Sequence, residues 1–361
     1  MNALYVTSDR PGAGKTALCS ALAGWLQGQG KRVALLKPVV MDPGDGSQTA
    51  EDADLRFYRE TVLQRNGKAT AGALTLTPRR LADPAILAAP ESQRRVQEAF
   101  QQLARDADMV IVEGPSLTTP QGEPTFGGAE VVNQAEMLGC GVVVVRHAPA
   151  GLTVEEASRL AESFGEAFRG LLINSVTRYQ GHTTRLELAP QIEAAGVRVL
   201  GMVPEDRRLL AVTLGQLAEH LQAEWLLGQE QVERLVEHFM IGGFMMDEAT
   251  LYFGQRENKA VLVRADKPDL QFAALQGSCA CLLLTGAQAQ MDYEYPIQYV
   301  RHEALRQGVP MLAVKKDTLS TATALETVLE RATFHHPQKL ERFQELLARQ
   351  GTLEALQEVL G

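Results

Sequence analysis

From Leu4 to about Val203, short apolar runs alternate with stretches of helical period. Leu4-Tyr5-Val6-Thr7, Arg32-Val33-Ala34-Leu35-Leu36, Met109-Val110-Ile111-Val112, Val142–Val145, Leu171-Leu172-Ile173 and Val197-Arg198-Val199-Leu200 read as strands. Between them Ala17–Leu26, Asp52–Leu63, Glu91–Ala104 and Val154–Phe168 read as helices. Strands apolar at nearly every position are buried on both faces, which predicts a parallel sheet covered by helices. Right-handed crossovers make this a doubly wound α/β domain, with its ligand at the carboxyl ends of the strands. After Pro204 the pattern changes. A mostly helical stretch, Thr213–Phe239, precedes strand runs at Lys259–Val263, Cys279–Leu284 and Val309–Val314, predicting a second, smaller α/β domain. The last stretch, His336–Leu360, carries Leu340, Phe343, Leu346 and Leu347 at the spacing of one amphipathic helix. The expected boundaries are 1–205, 206–330 and 331–361. Gly114–Gly128, with three Pro and four Gly after a strand, is placed where α/β domains carry functional loops.

Composition narrows the class. The 361 residues are 45% hydrophobic and 22% charged, enough for about two domains at ~150 residues each. A net charge of −9 argues against nucleic-acid backbones and anionic membranes as partners. No apolar run approaches the ~20 residues of a membrane span. The chain enters a strand run at Leu4 without the segments of a signal peptide, so a cytoplasmic location is expected. Four cysteines do not make a disulfide framework, and Cys279 and Cys281, two apart in a strand, read as core residues on one face. His335-His336 before Pro337 reads as a helix-start loop, and no spacing suits a transition metal.

Ser8-Asp9-Arg10-Pro11-Gly12-Ala13-Gly14-Lys15-Thr16 lies between the first strand and the first helix. Glycines let backbone N–H groups turn toward phosphates, and the helix N-terminus adds its positive end. Lys15 would reach the terminal phosphates of a nucleotide and Thr16 would ligate Mg²⁺. Asp9 stands where the strict phosphate-loop pattern has glycine. Arg10, five residues before Lys15, stands where chromosome-partitioning ATPases carry a lysine that reaches a phosphate across a dimer. It is either a similar phosphate contact in a homodimer or a solvated loop cation.

Further segments fall in order: Lys37-Pro38-Val39, Asp54, Glu113-Gly114-Pro115-Ser116, Asn174-Ser175-Val176 and Gly201-Met202-Val203-Pro204. Over residues 1–205 this order resembles dethiobiotin synthetase and its relatives, including the amino-terminal domain of long bacterial phosphotransacetylases. Residues 206–330 resemble a DRTGG domain, through Asp206-Arg207-Arg208, Val212-Thr213-Leu214, Leu282-Leu283-Leu284-Thr285-Gly286 and Lys316-Asp317-Thr318-Leu319-Ser320-Thr321. The pair resembles phosphotransacetylase-family proteins that carry both domains and lack the acetyl-transfer domain. The resemblance implies ATP and Mg²⁺ as cofactors. It implies nucleotide contacts at Arg10, Gly12, Ala13, Gly14, Lys15, Thr16, Ala17, Asn174, Ser175 and Pro204, with Asn174 at the adenine edge. Thr16, Asp54 and Glu113 are the implied metal ligands, with Asp52 an alternative to Asp54. Lys15 and Lys37 are the implied catalytic cations, Lys37 either neutralising charge on a transferring phosphoryl group or orienting a carboxylate. Pro11, Val40-Met41-Asp42-Pro43-Gly44 and Pro115 depart from the synthetase at positions concerned with its substrate.

The expected function is an ATP·Mg-binding regulatory or accessory protein whose second domain senses another small molecule or mediates assembly. The alternative is an ATP-dependent ligase that passes a carboxylate or carbamate through an acyl phosphate. Whether ATP is hydrolysed is left open. Acetyl transfer is not expected, because about one helix follows the DRTGG-like region.

Overall fold

The computed structural model describes residues 2–41, 51–64, 72–148, 151–243, 249–286 and 298–360. Asp42-Pro43-Gly44, in the stretch after Lys37 noted above, lies outside them. The chain forms two compact units, one of Met1–Glu205 with Phe334–Gly361, the other of Asp206–Thr333.

In the first unit the apolar runs become strands β1 (Asn2–Ser8), β2 (Val33–Leu36), β3 (Val39–Met41), β4 (Leu74–Leu76), β5 (Met109–Ser116), β6 (Gly141–His147), β7 (Phe168–Val176) and β8 (Val199–Pro204). Six of them make one sheet in the order β2-β5-β1-β6-β7-β8, and every pair is parallel. β3 and β4 form a separate parallel pair. Val33–Leu36 is buried throughout, as is Met109–Gly114, so the lack of polar alternation matches burial of both faces. β1 lies between β5 and β6, where the chain changes direction across the sheet, and this is where such folds open a crevice. Helix α1 (Lys15–Gly28) leaves β1 through a short loop, and its N-cap, Gly14, makes no side-chain cap. The first N–H groups of α1 therefore have no built-in acceptor from the side chain of the cap residue. Helix α2 (Ala53–Phe57) is capped by Asp52, whose carboxylate accepts from the N–H groups of Asp54 and Leu55, and widens at once into a π-helical turn, Tyr58–Val62.

Two expectations for this unit are corrected. The helix from Val154 ends at Phe164, because Gly165 takes a positive φ of 50° and Phe168 opens β7. The terminal stretch is two helices, Pro337–Arg349 and Thr352–Leu360, broken at Gly351 (φ 66°). Both belong to the first unit. Leu340, Phe343, Leu346 and Leu347 are buried there, each contributing roughly 1.5–3 kcal/mol, and Gln344 Nε2 donates to the Ala21 carbonyl of α1 at 3.1 Å. Thr352 sits so close to β8 that a Cβ on Gly201 would lie 2.0 Å from its Oγ1, so only glycine fits there.

The second unit has strands β9 (Val212–Thr213), β10 (Glu224–Leu227), β11 (Leu235–Val236), β12 (His238–Ile241), β13 (Lys259–Arg264), β14 (Cys279–Thr285) and β15 (Met311–Val314). Its main sheet runs β10-β15-β14-β13-β12, parallel except for β10, and β9 pairs with β11. The stretch read as helical, Thr213–Phe239, is a helix only over Leu214–Leu221, closed by a capping box of Thr213 and Gln216. Gln222 in the left-handed region ends it, and strand pairing then overrides the helix preference of the Glu and Leu residues that follow. The expectation that Cys279 and Cys281 share a face is also corrected. The β13–β14 register slips between Lys259 and Ala260, whose partners are Cys279 and Cys281, so the two thiols enter different core clusters. All four cysteines are buried and free. Among the described residues, no helix is long and apolar enough to cross a membrane.

Candidate functional site

The loop after β1 is held from several directions. Asp9 receives Arg146 from the end of β6 at 2.6 Å and the His147 N–H at 3.3 Å, so its place in the loop is structural. Arg146 also reaches Glu156 at 3.0 Å. Arg10, exposed, turns its Nε onto the neighbouring Asp9 at 2.7 Å. Gly12 (φ 74°) and Gly14 (φ 108°) supply the left-handed backbone that curls the loop. Asn174, buried near the end of β7, donates from Nδ2 to the Ala13 carbonyl at 2.8 Å. Half-buried Lys15 points its ammonium into the crevice and donates to Ser8 Oγ at 3.1 Å and Ser116 Oγ at 2.9 Å. Loss of water lowers its pKa, against the pull of Glu113 and Asp54. Ala17 is buried in α1 behind the loop.

An acid cluster faces the start of α1. Glu113 lies in the middle of β5, buried to 4% exposure. Thr16 Oγ1 donates to its Oε1 at 3.0 Å, and the buried Tyr58 hydroxyl donates to its other oxygen. Burial first, and then the charge of Asp54, pushes the Glu113 pKa up. Lys37, just past β2, donates to both oxygens of Asp52, at 2.9 and 2.8 Å, and to Asp54 Oδ2. The remaining Asp54 oxygen, Oδ1, meets His335 Nε2 at 2.6 Å. Burial works against ionisation of both Lys37 and Asp54 and is outweighed. Glu113, Asp54 and Asp52 hold the lysine above its ordinary value, while His335 and Lys37 hold Asp54 well below the usual carboxylate range.

The third part lies at the ends of β7 and β8. Ser175 takes a positive φ of 58°, turning the chain outward after Asn174. Beyond it a cleft of about 320 Å³ is lined by Val176, Thr177, Arg178, Arg185, Pro204 and Glu205.

The structure thus brings Lys15, Thr16, Lys37, Asp52, Asp54 and Glu113 into one cluster, with Asn174 on the loop beside it. Tyr58 and His335 belong to this cluster as well; the sequence did not single out Tyr58 and offered His335 only as part of a helix-start loop. Tyr58 follows Asp54 by four residues, between Phe57 and Arg59, at the start of a π-helical turn that no sequence period marks. His335 stands 281 residues from Asp54 in the chain, with no local signal at all. The donor set fits Mg²⁺. Thr16, Glu113 and Asp54 offer only hard oxygen atoms, and such an ion takes one or two carboxylates and completes its shell with phosphate and water. Among the described residues no group of three or more His, Cys, Asp or Glu is arranged to hold a metal by itself.

Comparison with known proteins divides the chain at nearly the same place. Residues 2–213 match the family model of an AAA domain, and residues 216–328 match that of a DRTGG domain. A phosphate acetyltransferase of Synechocystis sp. is 23% identical over 350 residues, 91% of this chain and 47% of that protein. The ATP-dependent dethiobiotin synthetase BioD of Streptomyces avermitilis is 29% identical over 211 residues, 56% of this chain and 84% of the synthetase. The chain spans about half the length of the phosphate acetyltransferases it matches. Among solved structures, the septum site-determining protein MinD of Pyrococcus horikoshii, complexed with Mg-ADP, aligns with a TM-score of 0.34 at 19% identity, covering 58% of this chain and 83% of MinD.

Proposed function

Since the chain belongs to the AAA-domain family over residues 2–213 and carries a DRTGG domain after it, we propose that it is an ATP·Mg-binding regulatory protein related to the phosphate acetyltransferases. The first unit holds the nucleotide, and the second senses a further small molecule or mediates assembly. The observation that carries this reading is the meeting of Lys15, Thr16 and Glu113 at the open end of β1, with Thr16 and Glu113 in direct contact at 3.0 Å. In this reading the triphosphate lies over Gly12–Thr16, on the free N–H groups of α1. Thr16, Glu113 and Asp54 hold Mg²⁺, which would neutralise phosphate charge. Lys37 holds both aspartates, but only Asp52 also caps α2, which favours Asp54 as the second acid. Lys37 keeps the two aspartates charged and close to the phosphates. The base lies in the cleft beyond Asn174, Ser175 and Pro204. Arg10 is available at the surface for a second copy of the chain.

Calorimetric titration with ATP, with and without Mg²⁺, tests the reading, which expects binding strengthened by Mg²⁺. In Glu113→Gln, nucleotide still binds while most of the Mg²⁺ enhancement is lost, because a neutral amide replaces the buried carboxylate. An identical Mg²⁺ response in both proteins would remove Glu113 from the metal site.

Asn174 has two duties in this reading. One amide hydrogen holds Ala13, and the carbonyl and second hydrogen can meet the base. Asn174→Ala is expected to weaken ATP and to narrow its advantage over GTP, since base contacts discriminate between purines and phosphate contacts do not. An equal loss for ATP and GTP would leave Asn174 only the duty of holding the loop.

A further inference from the structure

The first unit is interrupted by the second, and both of the first unit's flanking ends lie at its candidate site. The chain leaves the first unit at Glu205, which lines the cleft beyond β7 and β8. It re-enters at Phe334, and the next residue, His335, takes Asp54 Oδ1 at 2.6 Å. This return is fixed by rings as well. Phe57, in α2 three residues after Asp54, meets Phe334 edge-on at 5.9 Å and His335 at 5.5 Å, and Phe334 meets Phe343 at 5.8 Å. Each oxygen of Asp54 is therefore occupied, Oδ2 by Lys37 and Oδ1 by His335. A cation that takes Asp54 as a ligand shares an oxygen with one of these donors and competes with it for the same negative charge. Lys37 has Asp52 as a second anchor, whereas among the described residues of this cluster His335 hydrogen-bonds to Asp54 only.

We infer that His335 is a positioning residue for Asp54 that competes with Mg²⁺, so that filling the metal site releases the segment through which the second unit rejoins the first. This rests on the reading of the first unit as an ATP·Mg site and names how that site is regulated. By reciprocity, whatever the second unit does to hold His335 on Asp54 weakens Mg²⁺ binding by the factor with which Mg²⁺ loosens His335.

The test uses the full chain at constant pH. Calorimetry at saturating ATP gives the Mg²⁺ concentration at half effect. Hydrogen exchange of peptides from residues 206–333 is followed with ATP alone and with ATP and Mg²⁺. His335→Ala is expected to lower the Mg²⁺ midpoint at least about threefold, since a competitor for Asp54 is gone. His335→Gln, whose amide can still donate to Asp54, keeps a midpoint near that of the wild type. In the wild type, Mg²⁺ added to the ATP form changes exchange in 206–333, and in His335→Ala this difference disappears. An unchanged or raised midpoint in His335→Ala overturns the inference. So does a glutamine variant that behaves like alanine, or exchange in 206–333 that ignores Mg²⁺ in the wild type. Lys15→Ala separates the two readings. If it binds Mg·ATP like the wild type, the nucleotide site itself is misassigned. If it loses ATP while His335→Ala matches the wild type, only the role of His335 falls.

Discussion

Lys15→Ala is expected to lower Mg·ATP affinity by about a hundredfold, with little loss of stability in the free protein. The ammonium is the cation that the loop itself directs into the site, where it rests on two hydroxyls, Ser8 and Ser116, with no carboxylate among the described residues in hydrogen-bonding contact. Exchanging two neutral acceptors for phosphate oxygens makes its interaction stronger in the complex than in the free protein. Truncating one partner of a desolvated charge pair costs about 2–5 kcal/mol, and 1.4 kcal/mol is tenfold in affinity. In the free protein the same change removes a half-buried cation whose charged form burial disfavours, so the hydroxyls lose a partner while a desolvation cost disappears. Calorimetry and thermal melting together check both halves. Unchanged affinity would sink the assignment of the loop.

Gly14→Ala is expected to cost about 2–4 kcal/mol of stability and to weaken nucleotide binding with it. Gly14 has φ 108°, and a Cβ there would lie 2.4 Å from Asn174 Nδ2. Backbone strain of this kind costs about 1–3 kcal/mol for a residue with a side chain. Displacing the buried amide breaks its bond to Ala13 and leaves polar groups unpaired, for another ~1–3 kcal/mol. Gly12→Ala is the matching control. Its φ of 74° is also positive, but nothing lies within 4 Å of the added carbon, so only the strain remains. Denaturant unfolding of the two variants should separate them. Equal midpoints would mean that Asn174 yields easily and does not shape the loop.

What could be read in the chain depended on distance along it. The sheet of the first unit followed from runs such as Val33–Leu36 and Val142–Val145, because full burial of a parallel strand leaves its mark on every residue. The phosphate loop was legible for a related reason. Its glycines, lysine and threonine are neighbours, and their duties require that order. Elements set by pairing with remote partners were not legible. Glu224–Leu227 and His238–Ile241 have helix-forming neighbours and became strands only because β15 and β13 lie beside them. The bulge that parts Cys279 from Cys281 depends on the register with β13, which periodicity cannot show. The same holds at the site. Glu113 stands out as an acid closing the apolar run Met109–Val112, whereas Asp52 and Asp54 look alike in the sequence and only the fold shows that Asp52 caps α2. Tyr58 and His335 reach the cluster through a π-helical turn and a returning chain, neither of which leaves a spacing to find.

The division of the first unit between Met1–Glu205 and Phe334–Gly361 has a consequence for synthesis. A polypeptide emerging from the ribosome delivers β1 through β8 long before the helices that cover Ala21 and Gly201 exist. The intervening unit is continuous and can collapse on its own as it emerges, whereas the first must wait with part of its apolar surface uncovered. Closing it joins residues more than three hundred positions apart, as Gln344 and Ala21 are, and contacts of that span form late. The nascent chain is therefore most exposed to aggregation while residues 206–333 are being made, and the last two helices end that interval.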